Sequence, residues 1–142
     1  MIYTNLTKKV MKIAYNAHLN QVDKSGMPYI FHPIYIAERM DDEESTIVAL
    51  LHDTIEDSDL TICDLKMEGF SESVIKALEC LTHDKNIQYE EYIQRIKDNP
   101  LAKKVKKVDL EHNSLLERLE IVDESVMNRL KKYEKAKEML SD

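Results

Sequence analysis

The segment Leu50-Leu51-His52-Asp53-Thr54-Ile55-Glu56-Asp57 gathers the residues most suited to chemistry in this chain. One histidine and three carboxylates close an apolar run, Ile47-Val48-Ala49-Leu50-Leu51. A helix apolar on nearly every side is a buried helix. Ionisable groups rarely enter the interior without a partner, because losing water costs them heavily. A metal ion is the partner that best suits an imidazole and carboxylates crowded this closely. His52 and Asp53 project about 100° apart on a helix, so both can reach one ion held beside it. Glu56 follows His52 by four residues and Asp57 follows Asp53 by four. That places the second pair one turn further along the same faces, close enough to orient a bound water. Alone, the His-Asp pair also reads as a helix end fraying into a solvated acidic loop over 56–59, so more distant residues must decide.

The composition limits which elements can position these groups. A chain of 142 residues is one domain by the usual size prior, long enough for a real core. With 43% hydrophobic and 33% charged residues it is globular rather than disordered. Only 2 glycines and 3 prolines are present, which favours helices over many turn-linked strands. No apolar stretch approaches bilayer length, and Met1 to Asn5 lacks the regions of a signal peptide, so the expected location is the cytoplasm. The net charge of −7 argues against a nucleic-acid polymer as partner. A small phosphorylated ligand stays compatible, since a local lysine or divalent cation can reverse the potential at one site. Cys63 and Cys80 have no metal-type spacing and read as reduced, packed thiols.

Helical periodicity and capping signals predict about eight helices in one compact all-α bundle. Leu6, Val10, Ile13, Ala14 and Ala17 form the first apolar stripe, with His18 at its end. A loop over 21–28 carries Gly26 and Pro28, and Tyr29-Ile30-Phe31-His32-Pro33 leads into a second helix with Pro33 in its first turn. Acidic residues 41–44 separate it from the helix that ends at His52-Asp53. Thr61 to Asp64 has the form of a capping box, Ser71 caps another helix, Asn99 before Pro100 opens the next, and Asp123 caps the last. In the helix after Pro100, Leu101, Val105, Val108, His112, Leu115 and Leu119 fall in one arc. Lys106 and Asp109 lie on its flank, with Asn113 further out. This spacing predicts a pocket wall there and a core histidine at His112.

These pieces, in order, resemble the HD superfamily of metal-dependent phosphohydrolases, and within it the hydrolase domain of RelA/SpoT-type alarmone enzymes and their small stand-alone relatives. The resemblance runs from about Ala14 to Leu119. It rests on Ala17-His18 with Gln21 and Lys24, on Pro28-Tyr29-Ile30-Phe31-His32-Pro33, on Ala49 to Asp57, and on Val105-Lys106-Lys107-Val108-Asp109 with His112-Asn113. It implies an HD-domain fold over residues 1–142, with no synthetase domain. It implies that His32, His52, Asp53 and Asp109 ligate one divalent ion; two imidazoles and two carboxylates suit a first-row ion such as manganese, with zinc and iron also compatible with these ligand types. It implies that Glu56 and Asp57 position the attacking water and assist proton transfer. Lys24 and Lys106 become candidates for phosphate contacts, and Asn113 for a sugar or base contact. The implied activity removes the 3′-pyrophosphate of guanosine 3′,5′-bis(diphosphate), ppGpp. Where alarmone hydrolases usually carry a basic residue after the metal aspartate, this chain has Leu110 and Glu111. That departure leaves open a nucleoside monophosphate or other phosphomonoester as substrate. A non-catalytic nucleotide-binding helical module is the third reading.

Overall fold

A computed structural model describes residues 1–119 and 121–142. Among them the chain forms nine α-helical segments and one 3-10 turn: α1 (Asn5–Ala17), α2 (Phe31–Glu38), α3 (Glu43–Leu51), α4 (Thr54–Asp57), α5 (Ile62–Met67), α6 (Glu72–Leu81), α7 (Tyr89–Lys97), α8 (Pro100–Asn113), the 3-10 turn Leu116–Arg118, and α9 (Glu124–Leu140). No β-strand occurs among the described residues, only an isolated bridge between Val22 and Pro28.

The starts of the helices obey short-range hydrogen bonding. Asn99 Oδ1 accepts from the Ala102 N–H at 3.0 Å, with Pro100 just inside the helix. Asp123 Oδ1 accepts from the Val126 N–H at 3.0 Å, and Thr61 and Asp64 complete the expected capping box. Asp42, read in the sequence only as part of an acidic spacer, caps α3 by accepting from the Ser45 N–H at 2.7 Å. Each such cap satisfies a backbone donor that the helix cannot.

Helix α3 is the axis of the fold. Ile47, Val48, Ala49, Leu50 and Leu51 are all at most 2% exposed, because α1, α2, α6 and α8 pack around them. Burying each of the larger side chains contributes about 1.5–3 kcal/mol. This enclosure brings the end of α3 into the interior, where His52 and Asp53 follow.

Three expectations need correction. The helical spacing read from Ile47 through Asp57 is interrupted, because α3 stops at Leu51 and α4 restarts at Thr54, with Asp53 at φ −107°, ψ −2° between them. The Thr54 hydroxyl donates to the Leu51 carbonyl at 2.8 Å and holds this break. The apolar stripe of α8 does not continue to Leu119. The helix ends at Asn113, where the Ser114 hydroxyl donates to the Leu110 carbonyl at 2.7 Å and Leu115 turns extended. Cys63 is exposed rather than packed, since it lies on the outer side of the short α5, while Cys80 is partly buried; both are free thiols.

Candidate metal centre and adjoining cleft

His32 comes from the first turn of α2, His52 and Asp53 from the α3–α4 break, and Asp109 from the third turn of α8. One ligand atom from each lies within 4.8 Å of all the others. His32 Nε2 is 2.8 Å from Asp109 Oδ1, and His52 Nε2 is 3.0 Å from Asp53 Oδ2. The cross distances, His52 Nε2 to Asp109 Oδ1 and His32 Nε2 to Asp53 Oδ2, are 3.5 and 3.8 Å. The expected four residues thus converge on one point, although 77 positions separate His32 from Asp109.

The donor set fits a divalent cation. His52 is buried, and among the described residues its Nε2 has no hydrogen-bond partner of good geometry. Its Nδ1 contacts the Ala49 carbonyl at 2.6 Å, so Nδ1 carries a proton and Nε2 is the nitrogen that would give its lone pair to an ion once its own proton is displaced. An imidazole fixed this way by a carbonyl is the usual support for a metal-binding histidine. The electrostatics agree. Burial works to lower the His52 pKa, yet the Asp53 and Asp109 carboxylates hold it well above the ordinary value. Burial likewise opposes ionisation of Asp53, but the facing imidazoles bring its carboxyl to about 2. Without an ion, a proton supplies the positive charge that two buried carboxylates demand. An ion bound there replaces it.

Behind the cluster stand residues of mixed legibility. Burial opposes the Lys106 charge, but the Asp109 carboxylate outweighs it and holds the ammonium well above its ordinary pKa. Its Nζ is 2.8 Å from Asp109 Oδ2, and it does not line the cleft described below. Asn113 Nδ2 donates to Asp109 Oδ1 at 3.1 Å and also borders that cleft. The Tyr29 hydroxyl donates to Asp53 Oδ2 at 2.5 Å. Burial, then the Asp53 charge, keeps that phenol protonated as a donor. His18 is buried against the Tyr29 ring, with Nδ1 2.8 Å from Gln21 Oε1. Gln21 Nε2 in turn donates to the Asp57 carbonyl at 2.6 Å, tying the first loop to the end of α4.

Glu56 and Asp57 follow the cluster residues on α4, and both are solvent-exposed. Protein still crowds their carboxyls. Burial raises the Glu56 pKa, and the Asp53 and Asp57 charges add to it. Burial and then Asp53 raise that of Asp57. Glu56 Oε1 accepts from the His83 backbone N–H at 2.5 Å. The sequence assigns His83 no part, and a backbone contact leaves no signal there. Its ring stacks on Tyr92 at 4.4 Å and its Nε2 reaches the Ile87 carbonyl at 3.0 Å, so the loop is locked around Glu56.

A cleft of about 490 Å³ opens beside the cluster. His32, Tyr29 and Asn113 line it on the side of the cluster residues they belong to or contact, together with Lys24, Arg118, Arg129 and Tyr133, and Arg118 pairs with Asp23, also in the lining, at 3.7 Å. Lys24 is exposed and free to reach an incoming anion. Arg118 and Arg129 escaped the sequence reading. Arg118 follows the true end of α8, and its Nη1 donates to the His112 carbonyl at 2.8 Å. Arg129 and Tyr133 lie four apart on α9 and so share one face; only the docking of α9 turns that face to the cleft. Leu110 is fully buried and Glu111 is exposed, and neither borders the cleft. No helix of the described residues is long and apolar enough to cross a membrane.

No protein-family model matches the chain. Curated relatives do. The guanosine-3′,5′-bis(diphosphate) 3′-pyrophosphohydrolase of Aquifex aeolicus is 40% identical over 86 residues, 58% of this chain and 12% of that protein. The bifunctional (p)ppGpp synthase/hydrolase SpoT of Escherichia coli is 41% identical over 71 residues, 47% of this chain and 10% of that protein. The match therefore spans only about a tenth of the length of these relatives. Among solved structures, a metazoan orthologue of SpoT described as hydrolysing ppGpp is similar over 99% of this chain and 88% of its own, with a TM-score of 0.76 and 22% identity. The chain thus has the fold of that SpoT orthologue, and over about half its length its sequence is similar to proteins named as ppGpp hydrolases.

Proposed function

We propose that this domain is a metal-dependent phosphohydrolase acting on a small phosphorylated nucleotide, with ppGpp as substrate and pyrophosphate as the leaving product. The observation that carries the reading is the convergence of His32, His52, Asp53 and Asp109 beside a cleft walled by cations. The curated relatives named for ppGpp 3′-pyrophosphohydrolase activity support the choice of substrate.

The four residues would hold one divalent ion, which we take to be manganese. Such an ion lowers the pKa of water and neutralises phosphoryl oxygens. Glu56, with its pKa raised and its orientation set by the His83 N–H, accepts the proton of the attacking water. Asp57 stands beside it as the second acidic group. The water oxygen joins the phosphorus attached to the ribose 3′ oxygen. The bond between that phosphorus and the 3′ oxygen breaks, pyrophosphate leaves, and a proton equivalent to the one Glu56 took up returns to the 3′ oxygen as a hydroxyl. Lys24, Arg118 and Arg129 balance the remaining phosphates, and Asn113 faces the sugar or base. Lys106 bears on the phosphate through Asp109, whose charge it compensates. A net charge of −7 fits this division, because cations are needed only in the cleft.

The test is turnover of a phosphate-compound panel with manganese, comprising ppGpp and nucleoside monophosphates, with Asp53→Ala as control. Pyrophosphate released from ppGpp and lost in the variant is the expected result. Orthophosphate released from monophosphates alone would replace the substrate assignment. No turnover of any compound would overturn the enzymatic reading and leave a nucleotide-binding module.

A further inference from the structure

His112 lies on the apolar side of α8 and is only 7% exposed, as a core histidine should be. Its polar atoms are nevertheless not idle. Its Nδ1 is 2.6 Å from Nδ1 of His32, and the two rings lie 9° from parallel with centroids 4.9 Å apart. On the other side, the Tyr35 ring stacks on His112 at 3.7 Å and 16°. The Arg39 guanidinium covers the far face of that stack, 3.3 Å from the Tyr35 ring centre, and its Nη1 donates to the Tyr35 carbonyl at 3.0 Å. The backbone carbonyl of His112 is held by Arg118. The imidazole is therefore fixed in plane and in position.

Two ring nitrogens at 2.6 Å can share only one proton between them. His32 Nε2 faces the cluster, so a metal there needs its lone pair. The proton of His32 then sits on Nδ1 and is donated toward His112. We propose that His112 is a positioning residue for the metal centre: its Nδ1 lone pair accepts the His32 Nδ1–H, selects the tautomer that frees His32 Nε2, and aims the ring. His112 must then carry its own proton on Nε2. A carbonyl does the same work for His52. At His32 a second imidazole, braced by Tyr35 and Arg39, takes the carbonyl's place. The inference rests on the metal reading above.

The experiment is calorimetric titration of the metal-free chain with manganese alone, together with thermal melts, for the parent, His112→Leu and His112→Asn. Leucine fills the space against Tyr35 but has no acceptor, and manganese affinity should fall about 10- to 100-fold. Asparagine can put its carbonyl oxygen close to where Nδ1 lies, so affinity should return toward the parent value. Leucine and parent binding manganese equally would overturn the inference, as would an asparagine variant no better than leucine. Should His112→Leu not fold, nitrogen NMR of the zinc-loaded parent decides. A proton on Nδ1 of His32 and on Nε2 of His112 supports the assignment; a proton on Nδ1 of His112 overturns it. A parent that takes up no metal would instead defeat the reading under the proposed function.

Discussion

At the junction of α2, α3, α4 and α8, each group that faces the cluster is also held from behind. His52 leans on the Ala49 carbonyl, His32 on His112, Asp53 on the Tyr29 hydroxyl and Asp109 on the Lys106 ammonium. Three of the four are at most 3% exposed. The cleft beside them is different. Lys24 is exposed, Arg129 Nε finds no hydrogen-bond partner among the described residues, and the exposed apolar residues Val22, Val122 and Met127 lie in or close in sequence to its lining. Preorganised geometry suits a reaction that must hold an ion and a water in one arrangement. Uncommitted cations suit a surface whose hydrogen bonds are completed by the ligand. On the proposed function, the contrast separates the chemistry from the choice of substrate. A change in the cluster should abolish or destabilise, whereas a change in the cleft should shift affinity.

Four experiments would break or sharpen that division. Glu56→Gln keeps the shape and loses the proton acceptor. Manganese binding should stay, and kcat on ppGpp should fall roughly 10²- to 10⁴-fold; an undiminished kcat would remove Glu56 from the reaction. Lys106→Met leaves the Asp109 carboxylate buried without its compensating charge, and denaturant unfolding of the metal-free protein should show a loss of about 3–5 kcal/mol. A neutral outcome would mean that water reaches this pair. Arg129→Ala, in the cleft, should raise KM with little effect on kcat or on manganese affinity. Loss of one hydrogen bond to a charged group costs about 1.5–3 kcal/mol, or roughly a 10- to 100-fold change. A fall in kcat at unchanged KM would place Arg129 with the cluster instead.

The smallest effect concerns pH. In the metal-free protein, burial disfavours the Asp53 charge, but His52 and then His32 hold the carboxyl at about 2, below its ordinary 3.8. Its contribution to stability is present above 3.8 and is lost as pH falls toward 2. His52 runs the other way. Burial lowers it, Asp53 and Asp109 raise it further, and its folded pKa lies well above 6.5. Its contribution is complete below 6.5 and is lost as pH rises through the folded value. Thermal melts without metal should therefore decline on both the acid and the alkaline side. Added manganese should flatten the alkaline decline, because the ion takes the place of the imidazole proton. Identical alkaline profiles with and without the ion would contradict the cluster's role.

Much of the fold was legible because its signals act within one turn. Asn99-Pro100, Thr61 to Asp64, Ser71 and Asp123 each begin the helix they announce, through a side chain meeting a backbone N–H three residues on. Misreadings fell where a helix stops. The apolar periodicity of α8 runs past Ser114 to Leu119, but a serine hydroxyl on the Leu110 carbonyl ends the helix first. The break at Asp53 was hidden for the same reason, inside a segment with uninterrupted helical spacing.

What the chain determined by itself is the menu: an all-α architecture from scarce glycine and proline, a buried α3 from five consecutive apolar residues, and two histidines and two aspartates of the right type to hold a cation. These follow from propensity, periodicity and ligand chemistry, which are local. Only the tertiary structure decided the pairings: Tyr29 with Asp53, His83 with Glu56, Lys106 with Asp109 rather than with the open cleft, and His112 with His32 across 80 positions of chain. Such contacts depend on how packed helices set one another's depth and rotation, and on which atom of a ring then finds a partner. On α8, His112 follows the stripe of a core residue, and its place behind His32 becomes visible only once α2 is laid against that helix.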